Sequence, residues 1–284
     1  MNRAHSASSP GGFRILRLDE REQPRRHHWL YALAPLLPAA PSDATLYKRD
    51  QRSIVFAARV LGRDLIVKRH RLTPHDHLRL LFGSGRGLGQ WRGTRLLTHG
   101  LRPIRAARAL LVAATSKAEV LVLEHIPGPT LLEVLAGRSS HTPHQRHALA
   151  FAVGAQIAQI AADGLRNRDH KPSNLIAADA GPTVIDAVGV RRHRGGPEAV
   201  DAAIVEMCVC LMLEPIGCAC RPSAADIRRV LIGAWSGLQQ RGLCPPMPRH
   251  RWCNQVAQRV EAAIASHGDP TPAINPLARA APGG

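Results

Sequence analysis

The chain has 284 residues, 45% hydrophobic and 21% charged, a balance that supports a large domain or two lobes with a real core. It excludes wholesale disorder, a disulfide-stapled miniprotein and a coiled coil. Aromatics make up only 4% and the formal charge is +17, from 38 basic against 21 acidic residues, so the core is aliphatic, base stacking has little surface to work with, and anions of many kinds are attracted.

Residues 1–12 and 268–284 are rich in Ser, Gly, Pro and Ala and read as loose tails. The apolar run from Trp29 to Ala40 contains Pro35 and Pro38 and is too short and too broken to span a membrane. A cytoplasmic location is therefore expected, and the six cysteines, all between Cys208 and Cys253, are expected as buried thiols rather than disulfides or a zinc site. Apolar runs at 53–60 and 64–70, separated by Leu61-Gly62-Arg63, predict a hairpin. The stretch Gly83 to Gly89 reads as a mobile connection into a helix ending near Gly100, and 119–124 reads as a strand.

Beyond that strand the pattern becomes helical. Thr130 with Glu133, and Thr142 with Pro143 and Gln145, are capping boxes that open helices stopping at Gly137 and near Gly164. Further helices are expected at about 198–213, 224–240 and 251–267. The layout is α+β and two-lobed: an N-terminal extension over 1–41, a small β-rich lobe over 42–125, a larger helical lobe over 126–267 and a tail over 268–284.

The sharpest segment is Asn167-Arg168-Asp169-His170-Lys171-Pro172-Ser173-Asn174-Leu175, followed by Ile185-Asp186-Ala187-Val188-Gly189. Phosphoryl transfer needs this set of groups, because its transition state is stabilised by position and charge rather than by covalent chemistry. Asp169 is suited to accept the proton of an attacking hydroxyl and Lys171 to neutralise the moving phosphoryl group. Asn174 and Asp186 supply hard oxygens for Mg²⁺. Gly189 is read as the residue that permits a sharp turn after Asp186.

These residues resemble the H-R-D-x-K-x-x-N loop and D-x-G turn of the protein-kinase-like superfamily, here with D-x-x-G at Asp186 to Gly189. Within it they are most similar to the bacterial lipopolysaccharide kinase family, which phosphorylates Kdo or heptose sugars of the core. The segment from Leu123 to Leu131 resembles that family's hinge, and the likeness runs from about Leu46 to Asp201. It implies a two-lobed protein-kinase-like fold and an ATP- and Mg²⁺-dependent kinase, with Asp169 and Lys171 catalytic, Asn174 and Asp186 holding metal, and Lys68 and Glu124 contacting the nucleotide. The implied acceptor is an anionic sugar or glycolipid, met at the inner face of an anionic membrane. A bacterial Ser/Thr protein kinase and a catalytically weak kinase-like binding module are the alternatives. A nucleic-acid partner is disfavoured, since no basic heptad helix, zinc finger or aromatic platform is visible.

Several residues depart from the pattern. Asn167 stands where the loop usually has histidine, which is expected to loosen the site. Residues 77–118 contain no Asp or Glu, so the helix after Lys68 cannot offer the usual carboxylate partner; Gln90 is the positional substitute and Asp76 the nearest acid. No G-x-G-x-x-G precedes Lys68, which leaves the turn from Lys48 to Ser53 to cover a triphosphate. The run Arg191-Arg192-His193-Arg194 could hold an anionic acceptor or be a solvated loop.

Overall fold

The computed structural model describes residues 12–36, 40–100, 102–272 and 275–277. The expectations for residues 1–11 and 278–284 lie outside them. Contacts divide the described residues into two compact units: those up to Arg92 with Ala107–His125, and Gly93–Ala106 with those from Ile126 onward. The architecture is α+β, with a six-stranded antiparallel sheet in the N-terminal half and mostly helices in the C-terminal half.

In the first unit the expected hairpin forms between β3 (Ser53–Val60) and β4 (Arg63–Arg71). Its two turn residues, Leu61 and Gly62, both have positive φ, 51° and 77°, the hand that matches the twist of the flanking strands. With β1 (Arg14–Leu18), β2 (Thr45–Arg49), β5 (Ala109–Ala114) and β6 (Ala118–Glu124) the sheet order is β1-β5-β6-β4-β3-β2. Central strand β6 is buried on both faces, so it reads as a continuous apolar run. Val120 and Val122 pack with Trp29 and Leu33 of α1 (Arg26–Leu33), while Leu121 and Leu123 pack with Leu88 and Trp91 of α3 (Arg86–Thr98).

The expected extension is corrected here. β1 pairs with β5, and Trp29, Leu33 and Leu36 enter the core, because the sheet face carrying Val120 would otherwise be bare. Glu22 anchors this segment. Its buried carboxylate accepts two bonds from the Arg63 guanidinium, at 2.9 and 3.0 Å, and one from Trp29 Nε1 at 3.1 Å. Burial pushes its pKa up, but Arg63, Trp29 and Arg108 outweigh burial and hold it below the ordinary 4.5. A carboxyl whose pKa falls on folding adds stability above its unfolded value and loses it as pH drops through the folded one. Stability should therefore decline below about pH 4.5, and Glu22→Gln should cost about 3 kcal/mol and flatten that decline in denaturant titrations.

The sequence reading missed α2 (Pro74–Leu81), opened by a capping box between Thr73 and Asp76. Nor is the glycine series a mobile connection. Gly85 and Gly87 leave room for the buried Glu119 carboxylate, which accepts from the Leu88 amide at the start of α3; a Cβ on Gly85 would lie 2.5 Å from Glu119 Oε1.

The second unit contains α4 (Leu131–Leu135), α5 (Pro143–Ala162), α6 (Pro197–Gly217), α7 (Ala224–Gln239) and α8 (Arg249–Ser266). Both expected capping boxes form, and Gly137 and Gly164 take positive φ where their helices stop. Residues 93–106, expected in the first lobe, pack here instead: Leu97 and Ile104 join the core of Val153, Ile157 and Ile204. The pairs β7 (Leu165–Asn167) with β10 (Val190–Arg192), and β8 (Leu175–Ala178) with β9 (Gly181–Val184), frame the loop described below. All six cysteines are free thiols, but only Cys208 is fully buried and Cys244 is exposed, which corrects the uniformly buried expectation. Among the described residues no helix is long and apolar enough to cross a membrane.

Candidate active site

In the second unit, β7 and β8 hold the loop from Arg168 to Asn174 at both ends. Asn174 Nδ2 donates to the Asp169 carboxylate at 2.9 Å and to the Asp169 carbonyl at 3.0 Å. Lys171 Nζ lies 3.3 Å from the other Asp169 oxygen. The Ile185 amide donates to the Asn174 carbonyl at 2.9 Å, which brings Asp186 beside the loop, and the Asp186 carboxylate accepts from the Val188 amide at 3.1 Å. Asp169, Lys171, Asn174 and Asp186 are thus neighbours.

Asn167 is fully buried and hydrogen-bonded within the loop. Its Oδ1 accepts from the Asp169 amide at 3.2 Å, and its amide nitrogen donates to His170 Nδ1 at 3.4 Å. The expected turn forms, with the Val190 amide donating to the Ala187 carbonyl at 3.1 Å, but Gly189 serves it by leaving space rather than by an unusual backbone conformation. It is absent from the residues with positive φ, and a Cβ there would stand 2.7 Å from both Asn167 Oδ1 and the Asp169 amide.

A residue the sequence reading missed is Glu214. Its carboxylate accepts from the Ser173 amide at 2.7 Å and from the Ser173 hydroxyl at 2.5 Å, clamping the loop onto α6. On the same helix Glu206 pairs with Arg166 and Arg168, and Cys210 Sγ reaches the Arg168 carbonyl at 3.4 Å. The available signal was the spacing: residues 206, 210 and 214 recur every four positions in the mostly apolar second half of the helix, which puts them on one face.

Burial disfavours the Lys171 ammonium, yet the carboxylates of Asp169, Glu214 and Asp186 prevail and raise its pKa above 10.5, so it stays charged. His170 behaves oppositely. Burial alone pushes its pKa down to about 4, and Nε2 has no hydrogen-bond partner among the described residues. A histidine held neutral by the fold binds its proton more readily when unfolded, so stability should fall as pH drops from about 6.5 towards 4. His170→Leu should remove that slope, as read from thermal unfolding across the window.

In the first unit, Lys68 Nζ donates to Gln90 Oε1 at 3.1 Å, so the amide occupies the expected carboxylate's place. Asp76 is engaged with Thr73 instead. Glu124 ends β6, exposed, with its amide bonded to the Arg108 carbonyl. The turn after β2 departs from expectation. The Asp50 carboxylate accepts from the amides of Arg52 and Ser53 at 2.8 and 2.7 Å, so the N–H groups that a phosphate would need are taken, and a negative charge sits among them. Of the basic run, Arg191 folds back onto the carbonyls of Val188 and Val190, while Arg192 and Arg194 remain exposed.

No family model matches the chain. A stretch of 68 residues is 41% identical to the "Probable serine/threonine-protein kinase PkwA" of Thermomonospora curvata. It covers 24% of this chain and 9% of that protein. The similarity is therefore partial, and it points to the kinase-like superfamily rather than to any acceptor.

Proposed function

We propose that the chain is an ATP- and Mg²⁺-dependent phosphotransferase acting on a hydroxyl. The observation that supports it most is the convergence of Asp169, Lys171, Asn174 and Asp186 on one loop and turn. Asp169 would take the proton as the acceptor oxygen bonds to the γ-phosphorus and the bond to the departing ADP oxygen breaks. Lys171, kept cationic by its neighbours, would face the charge developing on the phosphoryl oxygens. Asn174 donates through Nδ2, which leaves its Oδ1, together with the Asp186 carboxylate on the neighbouring turn, as hard oxygen donors of the kind Mg²⁺ takes. Bound there, Mg²⁺ would neutralise phosphate charge. Lys68 would contact the α and β phosphates, with Glu124 on the nucleotide side of the same unit.

The acceptor proposed is an anionic sugar or glycolipid of the lipopolysaccharide core type. In support, Gly195 and Gly196 lead from β10 almost directly into α6, leaving no room for a long activation segment. The partial likeness to a serine/threonine kinase keeps a protein hydroxyl as the competing acceptor. Labelled phosphate from ATP should pass to extracted core lipid and not to generic protein substrates; transfer to protein alone would reverse the assignment.

A weaker second reading, a nucleotide-binding module with slow turnover, rests on Asp50 and Gln90. It makes a distinct forecast. Gln90→Glu would put a carboxylate where the Gln90 amide now meets Lys68 and should raise ATP turnover by about tenfold. In the active reading the same change should alter turnover by less than about twofold, since Gln90 already holds the amine.

A further inference from the structure

A surface helix ordinarily turns its apolar stripe toward the core. α2 does the reverse. None of its residues is buried, and Leu80 alone packs, partly buried, against the cluster of Leu88 and Trp91. On the opposite side Leu78, Leu81 and the adjoining Phe82 are 52%, 77% and 79% exposed. Helical spacing of 78, 81 and 82 puts these three on one stripe. The Thr73–Asp76 capping box closes the first turn and Leu80 seats the helix on the sheet, so the exposed stripe is a formed surface.

Its surroundings are cationic. Arg52, Arg71, Arg79 and Arg86 line a small cleft beside α2, and the two acids there are both engaged, Asp76 by Thr73 and Glu119 by the amides that start α3. From residue 77 to residue 118 the chain carries no Asp or Glu at all. Protruding Leu and Phe side chains on one side of the helix, with an arginine-lined cleft on another and its one acid held by Thr73, have the chemistry of an interfacial helix: apolar groups enter the acyl boundary while guanidinium groups stay among phosphate headgroups.

We propose that α2 with Phe82 and the flanking Arg71, Arg79 and Arg86 is a docking surface for anionic phospholipid bilayers. The inference does not depend on the catalytic reading, because the binding needs no nucleotide. It is tested by flotation of the full chain with vesicles of phosphatidylcholine alone or mixed with phosphatidylglycerol. The chain should float with the mixed vesicles only, and added salt should release it. The double substitution Leu81→Ser/Phe82→Ser should weaken that binding by about tenfold or more, with the melting temperature and ATP turnover in solution unchanged, since those side chains lie outside the cores. Arg79→Gln with Arg86→Gln should weaken it and also reduce its salt dependence. Absence of binding to mixed vesicles, or equal binding by the Leu81→Ser/Phe82→Ser chain, would overturn the proposal. So would a dimer that this double substitution dissolves, which would make the stripe a protein interface.

Discussion

Asp169→Asn is expected to lower the rate of phosphate transfer by about 10²- to 10⁴-fold, the usual contribution of a positioned base, while leaving the melting temperature nearly unchanged. The geometry separates the two effects. One carboxylate oxygen of Asp169 already accepts from Asn174, so the other, 3.3 Å from Lys171, is the one left for an acceptor proton. An asparagine can keep the bond to Asn174 through its own oxygen, but its nitrogen then faces Lys171 and cannot take a proton. Asp186→Asn should also abolish turnover, through weakened Mg²⁺-dependent nucleotide binding, read by titrating nucleotide with and without the metal. If Asp169→Asn turned over ATP as the unmodified chain does, the loop would not be catalytic and the proposed function would fall.

Gly154→Val is expected to cost more than about 4 kcal/mol, a large part of the stability of an ordinary domain. α5 and α7 cross with their backbones in contact. A Cβ on Gly154 would lie 1.8 Å from the Val230 carbonyl oxygen, and one on Gly233 would lie 2.0 Å from the Phe151 carbonyl oxygen. Neither helix can yield locally, because the groups struck are main chain and because Val153 and Ile157 on one side and Ala234 on the other are fully buried. Gly233→Val should behave alike, as measured by denaturant unfolding. Gly89→Ala is the contrasting case, a helical glycine with no atom within 4 Å of its missing Cβ, and should be stabilising by about 0.5–1 kcal/mol.

The two substitutions also differ in how they could have been foreseen. Asp169 was legible from its spacing to Lys171 and Asn174, since a short loop held by neighbouring strands keeps residues close in sequence close in space. Gly154 and Gly233 are about eighty positions apart in the chain, and nothing in the letters around either shows that one helix lies on the other.

The same division runs through the whole molecule. Capping boxes at Thr130 and Thr142, the hairpin through Leu61 and Gly62, and the replacement of a carboxylate by Gln90 next to Lys68 could be read directly, because each depends on groups a few residues apart or on a residue type simply missing from a stretch. Packing decided the rest: that residues 14–36 complete the sheet, that 93–106 join the helical unit, that Gly189 is needed for clearance, and that Glu214 clamps Ser173. Local propensity and hydrogen bonding act over a turn or two of chain, whereas contacts between distant segments are chosen by which apolar faces must be covered and which buried polar groups must be paired, and those demands exist only once the chain has folded.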